Sequence, residues 1–331
     1  MPELPEVETV ARDLRGLIVG ATIVDAETRW DRTLRDTDPA AFADGVAGRR
    51  IEAVGRRGKQ LVVELSGGAF LTIHLKMTGQ LFVVPRGGND DPYVRLVLEL
   101  DDGREIRFRD IRKFGRVGLY GTGTADPFEK TGPEPLADAF TVRAFRHRLR
   151  ARKGRLKSLL TDQSFVAGVG NIYADEALWA ARLHPLRTAR TLRPPDERRL
   201  WHHLRRILAE AVIRRGSSID DYTAPDGDGE MQEHLEVYQR TDEPCRRCDR
   251  PIRRIVVGGR ATHFCSWCQR LPSTDRAGAK AILATLSTPR RRGGRWTELA
   301  AGEGRVGLTR AERTRKAAAT RRAAARGSAG G

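Results

Sequence analysis

The chain has 331 residues, enough to bury a full core and to divide into two domains. It carries 60 Lys and Arg against 43 Asp and Glu, a net charge of +17 with a pI of about 10.6, which points to a polyanionic partner such as nucleic acid; a basic surface kept for solubility is the blander alternative. Its apolar runs fall far short of a membrane span, no basic-then-apolar leader opens the chain, and four cysteines in two close pairs suit a metal site in a reducing cytoplasm better than disulfides.

The first nine residues, Met1-Pro2-Glu3-Leu4-Pro5-Glu6-Val7-Glu8-Thr9, hold an unusual possibility. Once Met1 is removed, Pro2 presents a free secondary amine able to attack an electrophilic carbon, and the iminium formed with an aldehyde-level carbon is an electron sink. Glu3 is the adjacent proton-handling group. Pro5, Glu6 and Glu8 suit a helix start, and Val7, Val10, Ala11, Leu14 and Leu17 recur at helical spacing. Taken alone, the nonapeptide reads as an ordinary Pro/Glu-rich helix start.

Residues 20 to 120 read as strands: Arg50 to Val54, Leu61 to Leu65, Phe70 to Leu75, Tyr93 to Leu100 and Ile106 to Arg109, divided by Ser66-Gly67-Gly68 and Asp101-Asp102-Gly103. Short strands with tight turns predict an antiparallel sandwich. Residues 121 to 135 read as a linker.

From residue 136 the period becomes helical. Leu156, Leu159 and Leu160 mark a short helix, Ile172 to Arg182 a second, and Asp196 to Arg215 a third with Leu200, Leu204, Ile207, Leu208 and Val212 on one face. Between the first two lies Gln163 to Asn171, whose glycines allow close backbone approach. Asn171 there is a candidate cap, and the bare N–H groups are a candidate phosphate site. An ordinary helix connection is the simpler local reading. The loop 217 to 232 is long and acidic, which marks it as functional or mobile, but its spacing does not fit an EF-hand.

Cys245-x2-Cys248 followed after sixteen residues by Cys265-x2-Cys268 is the spacing of a four-thiolate zinc ribbon, holding one structural Zn2+. Ile255 to Val257 and Thr262 to Phe264 would be its strands, with His263 a strand residue rather than a ligand, and Arg260 near the hairpin tip. Residues 270 to 331 carry fifteen Lys and Arg against four acids, a net +11 that leaves +6 for residues 1 to 269. That Ala, Arg and Gly-rich tail is expected to be disordered.

Together these pieces resemble the formamidopyrimidine-DNA glycosylase and endonuclease VIII family of base-excision repair enzymes, from Pro2 to Gln269. The start Pro2 to Thr9 is similar to the formamidopyrimidine branch. Val169-Gly170-Asn171-Ile172-Tyr173-Ala174-Asp175-Glu176 resembles its helix–two-turn–helix motif, and Gly259-Arg260-Ala261-Thr262-His263-Phe264-Cys265 resembles the end of its zinc finger. The resemblance implies that Pro2 attacks C1′ of a damaged nucleotide and that Glu3 handles the protons of base loss and elimination. Lys59, in Arg57-Gly58-Lys59-Gln60, matches the family's DNA-contacting hairpin lysine and joins Pro2, Glu3 and Arg260 in the catalytic set. Lys157 matches a lysine near the lesion pocket. Asn171 and Arg260 match residues that grip phosphates around the flipped nucleotide. Met77 matches the residue that fills the void left by flipping, and Arg112 and Phe114 match the wedge against the orphaned base. Core packing is the alternative for Met77 and Phe114. The sequence departs from the family pattern at Ile111, where Pro is usual, at Gln239, where Gly is usual, and in the acidic stretch Ala224 to Met231.

The expected architecture is α+β. A catalytic β-sandwich with an N-terminal helix covers residues 1–130, a helix–two-turn–helix DNA-binding domain 136–240, a zinc ribbon 241–270 and a basic tail 271–331. The implied protein is a cytoplasmic monomer acting on double-stranded damaged DNA, removing 8-oxoguanine and formamidopyrimidines and nicking the strand. Oxidised pyrimidines as main substrate, or a catalytically silent damage-binding protein, are the rival readings. The tail has a reading of its own. A cationic arm pairs with phosphates without reading bases, so truncation after Thr288 is expected to flatten the salt dependence of undamaged-duplex binding by a few units of log–log slope, at roughly 0.9 per lost phosphate contact. Single-turnover excision should be unchanged. Superimposable slopes would show that the arm does not touch DNA.

Overall fold

The computed structural model describes residues 1–88, 91–121, 123–218 and 229–286. The centre of the acidic loop and the tail from residue 287 lie outside the described residues, and with them the expectation of a disordered arm.

The chain opens with α1 (Leu4–Ile18). Pro5 begins it, the Glu3 N–H donates to the Glu6 carboxylate at 2.8 Å, and Leu4, Val7, Val10, Ala11 and Leu14 form a fully buried stripe. The stripe ends on Ile18 rather than on the expected Leu17, which is 43 % exposed. The strands β1 (Ile23–Thr28), β2 (Ile51–Arg57), β3 (Gln60–Leu65), β4 (Ala69–His74), β5 (Gly79–Pro85), β6 (Val94–Leu100), β7 (Arg104–Asp110) and β8 (Arg116–Tyr120) make two four-stranded antiparallel sheets, with α2 (Pro39–Val46) following β1. The orders are β1-β6-β7-β5 and β2-β3-β4-β8. One core, including Phe42, Leu61, Leu71, Phe108 and Val117, joins both sheets with α1 and α2. Strands β1, β5 and β8 were not among the predicted elements. Only one residue of β1 is fully buried, so it carries little apolar alternation, and β5 begins inside the Met77-Thr78-Gly79 turn.

After residues 121–135, which hold no helix or strand among those described, come α3 (Val142–Arg150), α4 (Leu156–Thr161), α5 (Asn171–Ala180) and α6 (Pro194–Ile213). Helix α3 escaped the sequence reading because five of its nine residues are Arg or His; only Phe145 and Leu149 are buried. Helix α5 is the centre of this domain, buried from Ile172 to Ala180. Helix α6 buries the predicted stripe of Leu200, Leu204, Ile207, Leu208 and Val212. The strands β9 (Arg253–Val257) and β10 (Arg260–Phe264) pair as the ribbon hairpin, with Val257 opposite Arg260. Gly258 and Gly259 turn the chain at φ +56° and +75°, angles that favour residues without a β-carbon.

The folded chain does not stop at residue 270, the expected end of the ribbon. Residues 271–286 continue as two short helices, α7 (Ser273–Arg276) and α8 (Lys280–Leu283), packed on the ribbon. No described helix is long and apolar enough to cross a membrane.

Candidate active site

The site forms where the N-terminus meets α5. The Glu3 carboxylate, 2 % exposed, accepts the N–H groups of Gly170 at 2.7 Å, Ile172 at 2.8 Å and Tyr173 at 3.4 Å. These are the unsatisfied donors at the positive end of a helix, and an anion there is stabilised by both hydrogen bonds and dipole. The bare N–H groups expected to bind phosphate are therefore occupied by the protein's own Glu3. Asn171 is not the cap either: Gly170 holds the N-cap position, and Asn171 is the first helical residue. Leu4 N–H donates to Gly168 O at 2.9 Å, completing the junction. Gly168 sits at φ +79°, and a β-carbon there would meet the Leu4 side chain at 2.6 Å.

Lys59 enters from the β2–β3 turn. Glu134 fixes that turn, accepting the Gly58 N–H at 2.6 Å and pairing with Arg56 at 2.6 Å and Arg57 at 2.9 Å. Burial alone would raise the Glu134 carboxyl, but these donors outweigh it and hold it below its ordinary value. Burial pushes the Lys59 ammonium below the usual lysine range, while the negative charge of Glu3 acts the other way. A β-carbon on Gly170 would lie 2.5 Å from both a Glu3 carboxylate oxygen and Lys59 Nζ. The absence of a side chain at Gly170 is thus what lets the two groups share one floor.

Pro2, Glu3, Lys59, Met77, Asn171 and Arg260 line one cavity of about 430 Å³, together with Met1, Glu6, Gly170, Ser217 and Tyr238. Arg260 reaches it from the hairpin tip. The Asn171 Nδ2 donates to Ala261 O at 2.8 Å, tying the ribbon to α5, while its Oδ1 has no partner among the described residues. Lys157 does not line the cavity. It is 1 % exposed, donating to Asp175 at 2.6 Å and to Asn171 O at 2.8 Å. Asp175 also accepts the His263 N–H at 2.8 Å. Lys157 therefore binds the first turns of α5 and, through Asp175, supports the contact with the ribbon.

Two further acids, to which the sequence assigns no role in the site, hold the walls. Glu6 accepts from Glu3 N–H, Tyr173 Oη and both the N–H and Oγ of Ser217, joining α1 to α5 and to the start of the acidic loop. Burial, then the nearby Glu3, raise its carboxyl. Glu176 accepts three successive N–H groups, from Glu236, Val237 and Tyr238, each at 2.9 Å. Burial nonetheless pushes it up to about 7. An acid on a helix gives no local signal for partners 60 or more residues away.

Met77, Arg112 and Phe114 stand on two neighbouring turns. His74, held neutral by burial with its value pushed down to about 3, accepts the Lys76 N–H through Nδ1 and shapes the first turn. Asp110, 1 % exposed, accepts Thr78 Oγ1 from that turn and the N–H groups of Arg112 at 3.2 Å and Gly115 at 2.7 Å from the second. One carboxylate therefore fixes both turns. Phe114 is 48 % exposed with the Arg112 guanidinium 4.9 Å from its ring centre, and neither lines the cavity. Such exposure rules out core packing for Phe114.

Three family models match the chain in order: the formamidopyrimidine-DNA glycosylase N-terminal domain over residues 1–117, the formamidopyrimidine-DNA glycosylase H2TH domain over 131–223, and the zinc finger found in FPG and IleRS over 242–271. A formamidopyrimidine-DNA glycosylase of Chloroflexus aggregans is 49 % identical over 274 residues, covering 82 % of this chain and 99 % of that protein. The chain belongs to the formamidopyrimidine-DNA glycosylase family. Among solved structures, a Lactococcus lactis FPG variant in complex with a Fapy-dG containing DNA aligns with a TM-score of 0.77 at 38 % identity, over 82 % of this chain and all of the other. MutM in complex with carbocyclic 8-oxo-G containing DNA aligns at 0.76 and 37 %, again over 82 % and 100 %.

The family's zinc finger is present with its donors assembled. The sulfurs of Cys245, Cys248, Cys265 and Cys268 all lie within 4.8 Å of one another, against the separation of about 3.8 Å expected for four thiolates around a tetrahedral zinc. The site is structural, since four thiolates close it. Arg247, Arg182 and Arg270 border it and offset the net negative charge of a four-thiolate zinc centre. His263 is a buried strand residue packed on Tyr238, as its position predicted.

Two outcomes follow for this glycosylase. Gly170→Ala should lower the melting temperature and lower base excision by about 100-fold, because Glu3 and Lys59 must shift by a sizeable fraction of an ångström and the Glu3 hydrogen bonds to α5 are disturbed; wild-type rates would show that the floor is pliant. Cys265→Ser should lower bound zinc and weaken duplex binding by about 10- to 100-fold through loss of the Arg260 contact, with the sandwich still folded. Titration calorimetry against metal content checks it, and full affinity in zinc-free protein would refute it.

Proposed function

We propose that this chain excises oxidised purines, formamidopyrimidines and 8-oxoguanine, from duplex DNA and then cleaves the strand, with Pro2 as nucleophile. The observation that carries the reading is the meeting of Pro2, Glu3, Lys59 and Arg260 in one cavity beside Met77.

With Met1 removed, the Pro2 nitrogen lone pair attacks C1′ and the bond from C1′ to the base breaks, the base leaving with a proton. Glu3 moves protons at the sugar. Opening of the ring yields a cationic iminium between Pro2 and C1′. That cation acidifies the C2′ proton, and its removal expels the 3′ phosphate. One amine thereby serves both base loss and strand cleavage. Lys59 and Arg260 supply positive charge beside the phosphates, and Asn171, fixed at the head of α5 with one Nδ2 hydrogen on Ala261 O, can donate its second Nδ2 hydrogen to a phosphate oxygen. Met77, Arg112 and Phe114 occupy the space left by the everted nucleotide, which must leave the stack for C1′ to be reached. Every group in this scheme comes from one chain, which supports a monomer. Free thiols and a strong positive charge support action in the cytoplasm beside DNA.

Incubation with 8-oxoguanine opposite cytosine in the presence of borohydride is expected to trap a covalent protein–DNA adduct, with Pro2 as the modified residue by peptide mapping. Glu3→Gln should retain duplex binding while slowing excision by at least about 100-fold. An adduct on an internal lysine, with Pro2 unmodified, would overturn the assignment.

A further inference from the structure

The family models end at residue 271, yet the folded chain continues to residue 286. This continuation touches three places at once. Leu271 and Ala279, 8 % and 0 % exposed, complete a small core with Leu186, Ile255, Val257 and Phe264, against which Ile282 and Leu283 also pack. Thr285 Oγ1 accepts the Val256 N–H at 2.9 Å, satisfying a donor on the outer edge of β9. Arg155, at the start of α4, donates to Gly278 O. Asp275, 6 % exposed, accepts Thr188 Oγ1 and Thr191 Oγ1, each at 2.9 Å, and the more distant Thr188 N–H at 3.4 Å.

The two strands of the ribbon face different neighbours. β10 is tied to α5 through Ala261 O and the His263 N–H. β9 would be an open edge without the continuation, free to twist away from α5 within the play of a two-stranded sheet. The 184–191 connection that receives Asp275 is itself fixed to α4, since Leu156 N–H donates to Arg187 O and Lys157 N–H to Pro185 O. The continuation therefore runs from the helical domain to the free side of the hairpin that carries Arg260.

We propose that residues 272–286 are a brace that positions the ribbon hairpin, and with it Arg260, and that Asp275 is its anchor. Asp275 is a positioning residue: it touches no part of the cavity. The inference rests on the assignment of Arg260 to DNA phosphate made above. A buried carboxylate replaced by alanine leaves two threonine hydroxyls without their acceptor, whereas asparagine can serve both, because a hydroxyl donates or accepts.

The test uses full-length chain, a duplex containing a tetrahydrofuran abasic analogue, and a two-by-two set of wild type, Asp275→Ala, Arg260→Ala and the double variant. Zinc content is measured on each. Asp275→Ala is expected to weaken binding by roughly tenfold, about one lost charged contact, with zinc still stoichiometric. Asp275→Asn should restore most of it. In the Arg260→Ala background, Asp275→Ala should add little, the signature of two residues acting through one contact. Ala279→Glu, which forces a charge into the small core, should reproduce the Asp275→Ala effect if zinc is retained. Undiminished affinity for Asp275→Ala and Ala279→Glu, with Arg260→Ala weakened, would overturn the brace alone. Undiminished affinity for Arg260→Ala would overturn the assignment on which it rests. Fully additive losses would show that the continuation acts elsewhere than through Arg260.

Discussion

The structure depends on one buried carboxylate. Glu3 stands at the seam between the sandwich and the helical domain and spends its acceptors on the amino end of α5. A charged group there is tolerable only because helix donors and dipole meet it. In return the two halves of the molecule are brought into register beside Pro2, the proposed nucleophile. The same contact leaves Glu3 oriented, next to Pro2, before any substrate arrives, which is the preorganisation that electrostatic catalysis requires.

A pattern extends from that contact. The chain is strongly basic, yet its mobile-looking connections are each held by an acid. Glu134 holds the Lys59 turn, Asp110 holds the two turns bearing Met77, Arg112 and Phe114, Glu176 holds the segment of Tyr238, and Asp175 joins α5 to the ribbon. Acids suit this role because backbone N–H groups need acceptors, and an arginine or lysine offers none. These acids are spent on backbone N–H groups and on a few neighbouring cations, Arg56 and Arg57 at Glu134 and Lys157 at Asp175. A cleft built this way keeps its cationic groups available while its loops stay ordered.

The sequence showed the parts that depend on local spacing. The cysteine pairs, the apolar stripes of α1 and α6, and the central strands were all legible, because each is a periodic or short-range pattern. The motif fragments around Pro2, Asn171 and Arg260 pointed to one family, and the structure gathers those residues into one cavity. What stayed hidden was long-range. Glu3 lies 167 residues from Gly170, and nothing near either one announces the bond. Lys157 looked like a ligand to DNA, since a lysine in a motif carries no sign of an Asp175 waiting beneath it. The strands β1 and β5 were missed because an edge strand and a strand starting in a turn bury too few residues to alternate. Residues 271–286 are hidden in a tail that Ala, Arg and Gly dominate as a whole, although Leu271, Ala279, Ile282 and Leu283 are enough to dock them.

Met1 lines the cavity and is 42 % exposed, attached to the nitrogen that the chemistry requires. While that bond stands, the Pro2 nitrogen is an amide, its lone pair delocalised into the carbonyl. None of the contacts that build the site, from Glu3 to Lys59 and Asn171, involves Met1. On the proposed role of Pro2, the newly made chain folds as a latent enzyme that a single peptide cleavage at its amino end turns on. For anyone preparing the protein, the position of an affinity tag becomes a chemical choice. On the same proposal, a tag joined at the amino end blocks the nucleophile, whereas one at the carboxyl end leaves it free.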